Sequence, residues 1–193
     1  MDSMSKPNGK DNLENNRYPK SGLTLLKCGI PGTASITIPA TGGTPLAVTV
    51  ASLTTNISCF CNPCIKLEFA SNVTVPTANS VTLNFQVFKL CNNQYQAIAV
   101  GPKWVFARSL DVALTPYSGS VSLATTDTVS FFVCDCCDCP SKCCTYTVVV
   151  TPEIDGAVST VVNITNATLS AIAVDSVNQC CNAPRSQDTD LKI

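Results

Sequence analysis

Thirteen cysteines and a complete absence of histidine set the chemistry open to this 193-residue chain. Thiols can pair as disulfides, hold a soft metal as thiolates, or act as redox nucleophiles. They fall into three groups: Cys59, Cys61 and Cys64; then Cys134, Cys136, Cys137, Cys139, Cys143 and Cys144; and last the adjacent Cys180 and Cys181. Cys28 and Cys91 stand alone, each at the end of an apolar run. An odd number leaves at least one thiol free or directed at another chain if every other bond is internal.

Disulfide stapling accounts best for most of them. The segment 134–144 joins two apolar runs, and closing it onto 59–64 ties one end of the fold together. Each such bond restricts the unfolded chain and adds typically ~2–4 kcal/mol. Cys59, Cys61, Cys64, Cys91, Cys134, Cys136, Cys137, Cys139, Cys143 and Cys144 are therefore the candidates for bonds within one chain. Cys180 and Cys181 sit in a polar tail, badly placed for an internal staple and well placed to reach a neighbour. With Cys28 they are the candidates for bonds between chains. The alternative is a four-thiolate zinc site, because Cys61-x-x-Cys64 and Cys136-x-x-Cys139 each have the spacing of half a tetrahedral centre. Redox catalysis at Cys61-Asn-Pro-Cys64 fits poorly: such motifs open a helix, and this one runs straight into a strand pattern.

Other chemistry is scarce. Without histidine the usual general base and the Ser–His or Cys–His pairs are impossible, so no enzyme is expected, and no cofactor. Asp127, Asp135 and Asp138 read as solvated loop carboxylates near the cysteine-rich segment. Thr41-Gly42-Gly43-Thr44 lacks the lysine and helix of a phosphate loop and reads as a turn. Trp104, between apolar neighbours, reads as core. Asn-x-Ser/Thr sequons at Asn56, Asn72, Asn163 and Asn166 carry no assigned role in so threonine-rich a chain.

The elements that must position these thiols are strands. Short β-branched runs alternate with Gly, Pro, Asn and Ser. Strands are expected at 23–28, 35–39, 45–53, 65–75, 81–90, 96–108, 120–123, 128–134, 145–152 and 157–174, the last broken in two near Asn163–Asn166. In Ile65-Lys66-Leu67-Glu68-Phe69 the apolar side chains share one face and both charges the other; Val81, Leu83, Phe85 and Val87 do likewise. A period of two means one buried and one wetter face, hence sheets packed face to face. No segment sustains a helical period. The expected fold is all-β, a sandwich of roughly eight to ten strands of jelly-roll type over 23–176, with a polar arm at 1–22 and a tail at 177–193.

Composition narrows the partners. Only 13% of residues are charged, against ~25% in average globular chains. A net charge of −1 supplies no field for nucleic acid, and no apolar run reaches the ~20 residues of a membrane helix. The first residues lack the apolar stretch of a signal peptide, so synthesis in the cytoplasm is expected, followed by exposure to oxidising surroundings.

Cys59-Phe-Cys-Asn-Pro-Cys-Ile-Lys-Leu-Glu-Phe, Leu83-Asn-Phe-Gln-Val-Phe-Lys, Gly101-Pro-Lys-Trp-Val-Phe, Phe131-Phe-Val-Cys-Asp-Cys and Cys143-Cys-Thr-Tyr-Thr-Val-Val-Val resemble a cysteine-rich domain family of unknown function found in clostridia. The resemblance covers about residues 25–152. In design rather than motif, the chain is similar to the endospore appendage pilins of spore-forming bacteria. Those are jelly-roll proteins that polymerise by sheet augmentation, with disulfides from a terminal connector. That similarity implies a self-assembling homopolymer at the spore surface or in an extracellular fibre, with other spore-surface proteins as further partners. The pilins carry their cysteine pair near the N-terminus, whereas here it is C-terminal, which points to Cys180 and Cys181 as the connector. A zinc-binding module is the rival expectation, and a receptor-like sandwich binding through its loops the third.

Overall fold

The computed structural model describes residues 24–58, 60, 63–76, 80–109, 124–136, 143–154 and 159–175. Alternation of apolar and polar side chains, with β-branched residues throughout, makes these segments strands. They are β1 (Thr24–Cys28), β2 (Gly32–Ile38), β3 (Val48–Asn56), β4 (Pro63–Val75), β5 (Val81–Cys91), β6 (Ile98–Arg108), β7 (Thr125–Asp135), β8 (Cys143–Pro152) and β9 (Thr160–Asp175). No helix occurs among the described residues. The strand expected at 120–123 and both terminal arms lie outside them.

The strands form two antiparallel sheets. One has the order β1-β9-β4-β7, with β2 also on β9; the other has β3-β8-β5-β6. Beneath that order is a nested pairing: β5 with β6, β4 with β7, β3 with β8 and β2 with β9. This is one long hairpin whose tip is the turn between β5 and β6. Rolling it up adds the pairings β4–β9 and β5–β8 and splits the ribbon into two facing sheets. The result is a jelly roll, as the sequence pattern predicts.

The inner faces hold the core. Phe85, Val87 and Val148 from one sheet meet Leu67, Val73 and Ile164 from the other, all 0–1% exposed. An aromatic cluster crosses the interface: Phe131 lies 5.0 Å from Phe69, 6.2 Å from Phe85, and stacks on Trp104 at 4.2 Å. Trp104, expected as core, is partly buried and packs against the core cluster.

One expectation is corrected. Residues 160–175 form a single strand, not two. The polar run Asn163–Asn166 marks a bulge, where the register shifts against both β4 and β2 and Asn166 takes φ 55°. Asparagine tolerates that left-handed conformation, so the strand bends and continues. A second bulge lies between β5 and β6. There Gln86 turns its amide onto the carbonyls of Val87, Val100 and Gly101 at 3.2–3.3 Å.

Gly101 at this bulge has φ +70°, and an added Cβ would collide with Val133 Cγ2 on the facing sheet. Gly42 also has positive φ, +90°, but open space around it. Gly101→Ala should therefore cost about 3 kcal/mol, strain plus overpacking, and Gly42→Ala only about 1 kcal/mol. Urea unfolding of the two variants measures the difference; equal losses would show that no close approach exists at Gly101.

Candidate functional site

Antiparallel pairing decides where the thiols meet. The register places Pro63 opposite Asp175, Ile65 opposite Asp135, Asn56 opposite Cys143 and Cys91 opposite Cys144. The end of β3, the start of β4, the end of β7, the start of β8 and the ends of β5 and β9 therefore share one pole of the sandwich. Twelve of the thirteen cysteines lie at these strand ends or in the sequence segments attached to them. Cys28, at the end of β1 and opposite Ser170, is the exception. The segments linking β2 to β3, β4 to β5, β6 to β7 and β8 to β9 hold no cysteine at all.

Two disulfides close this pole. Cys64, on the outward face of β4, joins Cys136 just past β7. Cys91 of β5 joins Cys144 directly opposite on β8, both inward and 1% exposed. The bonds span 72 and 53 residues, and on the chain-entropy relation each alone stabilises by about 4 kcal/mol. Their loops overlap, so the joint effect is smaller than the sum.

Beneath the disulfides lies a buried charged group. Lys89 Nζ on β5 sits 2.6 Å from Asp135 Oδ2 on β7, with side chains only 9% and 4% exposed. Tyr146 on β8, fully buried, donates its hydroxyl to the same Oδ2 at 2.7 Å, and Lys89 Nζ lies 5.9 Å from its ring centroid. Asp135 is thus not the solvated loop carboxylate expected from sequence. The alternation of β7 turns it inward, one position before Cys136, where a lysine 46 residues earlier in the chain meets it. Asp127 is half exposed, but it lies on strand β7 rather than in a loop and pairs with Arg108 at 3.1 Å. Asp138 lies outside the described residues. Burying an ion pair costs several kcal/mol per charge in desolvation, repaid only by close contact and hydrogen bonds of this kind.

The outward face of the β1-β9-β4-β7 sheet carries exposed thiols. Cys28 lies on β1 at one edge and Cys134 on β7 at the other. Lys66 stands opposite Cys134, 2.6 Å from Glu68 and over the Phe132 ring at 5.1 Å. The hydrogen bond and charge of Glu68 push the Lys66 ammonium above its ordinary range, with a smaller push from Cys134. A cation therefore stands opposite Cys134 across the β4–β7 pairing. An open groove of about 420 Å³ crosses the same face, lined by Glu68, Ala70, Ser130, Phe132, Thr168 and Ser170.

Of the four thiols in the alternative zinc site, Cys64 and Cys136 are joined to each other, while Cys61 and Cys139 lie outside the described residues. Among the described residues no group of three or more Cys, Asp or Glu is arranged to hold a metal. Cys59, Cys137, Cys180 and Cys181 also lie outside the described residues. Cys143 is half-buried at the start of β8. Spacing alone groups Cys134 with the internal staples, whereas its outward parity on β7, shared with Phe132, marks an exposed thiol. Nothing local in the sequence marked Lys89 or Tyr146.

The model of a family described as a domain of unknown function (DUF4489) matches residues 22–174. No curated protein matches the chain. Among solved structures, it is similar to a chain in the structure of the infectious bursal disease virus Gx strain, with a TM-score of 0.47 and 9% identity, covering 82% of this chain and 33% of that one. A chain in the structure of the Gt strain gives a TM-score of 0.26 and 10% identity, covering 78% and 40%. This chain thus spans about a third to two-fifths of those viral chains. Such scores carry neither fold nor function, and the jelly-roll assignment rests on the strand order alone.

Burial predicts the order of reduction. Under mild reductant in native buffer, Cys64 and Cys136 should become alkylatable first, because Cys136 is exposed. Cys91 and Cys144 should remain protected until the sandwich unfolds, since an attacking thiolate needs access to sulfur. Differential alkylation read by mass spectrometry follows both, and simultaneous release would contradict the sealed inner position.

Proposed function

We propose that this chain, which belongs to the DUF4489 family, is a non-catalytic structural subunit that assembles with its own copies into a disulfide-linked fibre or spore-surface layer. The observation that carries the reading is the pair of exposed thiols, Cys28 and Cys134, at opposite edges of one outward sheet face. In the sheet order β1-β9-β4-β7 every neighbour is antiparallel, so β1 runs antiparallel to β7. Setting β7 of one copy beside β1 of the next therefore continues the sheet in the same antiparallel sense. The contact is head to tail, and a head-to-tail contact that does not close into a ring yields a filament. Edge strands are the usual template for such pairing, and a disulfide between Cys28 and the next copy's Cys134 would lock it.

Three further features support the reading. The uncharged polar surface, with 13% charged residues, suits close packing against neighbours. Exposed Leu26, Phe132, Ile172 and Val174 give the outward face apolar area to bury. Persistent disulfides belong to oxidising surroundings, which fits an extracellular or spore-surface location. The tail thiols Cys180 and Cys181 are a second set of connectors in this scheme. The named partners are further copies of the chain and other surface proteins; nucleic acid and membrane insertion have no place in it.

Purified, air-oxidised protein should give a ladder on non-reducing gels that collapses with a thiol reductant, and filaments by electron microscopy that shorten with it. Cys28→Ser combined with Cys134→Ser should cut mean filament length several-fold, and Cys180→Ser with Cys181→Ser should weaken the remaining links. Monomers under oxidising conditions carrying about one zinc per chain by elemental analysis would replace this reading with the metal module.

A further inference from the structure

The buried group at the cysteine-bearing pole has the composition of a condensation site. We propose that Lys89 and Asp135 join covalently, their side chains forming an amide that ties β5 of one sheet to β7 of the other. An ammonium Nζ 2.6 Å from Oδ2 places the nitrogen roughly 3–3.5 Å from the carboxyl carbon, the range of a near-attack geometry. Fixed proximity of this kind acts like a reactant at an effective concentration of about 10⁵–10⁸ M. Both side chains are nine-tenths or more buried, so the charged pair has lost most of its hydration and the neutral amine–acid pair is correspondingly closer in free energy.

The step balances without any co-reactant. One ammonium proton passes to Oδ2, giving a neutral amine and a carboxylic acid. The nitrogen lone pair attacks Cγ, forming the N–C bond. A second nitrogen proton goes to Oδ2, the Cγ–Oδ2 bond breaks, and Oδ2 departs as water. Tyr146, whose hydroxyl already donates to Oδ2 at 2.7 Å, stabilises that oxygen as the leaving group. The product is a neutral amide in place of two buried charges. The surrounding core, with Tyr146 fully buried, limits water for the reverse reaction. The link would be indifferent to reductant, unlike the two disulfides above it.

Intact mass of the folded, aged protein, after denaturation, full reduction and alkylation, should fall about 18 Da, one water, below the sequence mass. Protease digestion should yield a branched peptide joining the segments around Lys89 and Asp135, with no tryptic cleavage after Lys89. Asp135→Asn should lose ammonia instead, a deficit of about 17 Da, and Lys89→Arg should show none. Tyr146→Phe should slow the appearance of the branched species about 10²-fold or more, as loss of a proton donor to a leaving group does. If a variant fails to fold, the wild-type peptide map still decides. Full sequence mass in folded wild-type protein, or a water loss mapped to any other residues, overturns the proposal.

Discussion

Everything at the cysteine-bearing pole follows from one constraint, the nested antiparallel pairing of the chain with itself. Once β5 pairs with β6, each strand further out pairs with its counterpart on the return path, and the start of β1, the end of β9 and the strand ends flanking 57–62 and 137–142 come to the same end of the sandwich. Residues 72 and 53 positions apart in sequence thus become neighbours without any local signal. The contacts are long-range, and such contacts carry a high loop-closure cost during folding. Disulfides across 72 and 53 residues act on that cost, because they remove unfolded conformations that the closure would otherwise have to exclude.

The core and the pole are stabilised differently. Mid-sandwich, burial is mainly apolar: Phe85, Val87 and Val148 face Leu67 and Phe69, and aromatic rings bridge the sheets. Toward the pole that layer gives way to Lys89, Asp135 and Tyr146, then to the inner disulfide. An ion pair in such a place adds less net stability than an apolar substitute of equal volume. What it supplies is direction, since a buried lysine accepts only a partner at the right depth, and Asp135 reaches it only when β7 keeps its register against β4. Slipping β7 by one residue would turn Asp135 outward and leave Lys89 unpaired in the core, a loss of several kcal/mol.

Much of this was legible in the sequence, and the exceptions have physical causes. Alternation in Ile65–Phe69 and Val81–Val87 gives the strands and their inner faces directly, because side-chain period follows from backbone pleat. Asn163–Asn166 reads as a break because four residues of mostly polar composition interrupt the apolar pattern; only the positive φ at Asn166 and the partner registers reveal a bulge in a continuous strand. Asp135 reads as solvated because its neighbours, Cys134 and Cys136, head a polar loop. Its burial depends on Lys89 in another sheet, which no window of sequence contains. The same applies to the sulfurs: spacing groups them, but strand order chooses that Cys64 meets Cys136 and Cys91 meets Cys144.

Side-chain parity then sorts the thiols by what they can reach. Cys91 and Cys144 share the inward parity of Lys89 and Tyr146, so their bond is sealed and belongs to the fold. Cys28 and Cys134 share the outward parity of Leu26 and Phe132, so they meet solvent or another surface. Cys64 and Cys136 are outward too, but at adjacent strand ends, where they find each other before anything else. A cysteine-rich chain in oxidising surroundings risks scrambled pairing, because thiolate exchange follows access. Here the two-residue period of the strands assigns each described sulfur an inner or an outer environment before any bond forms. Folding and cross-linking can therefore proceed on separate sets of thiols, which is the condition a disulfide-linked assembly needs if its subunits are to fold first and join afterwards.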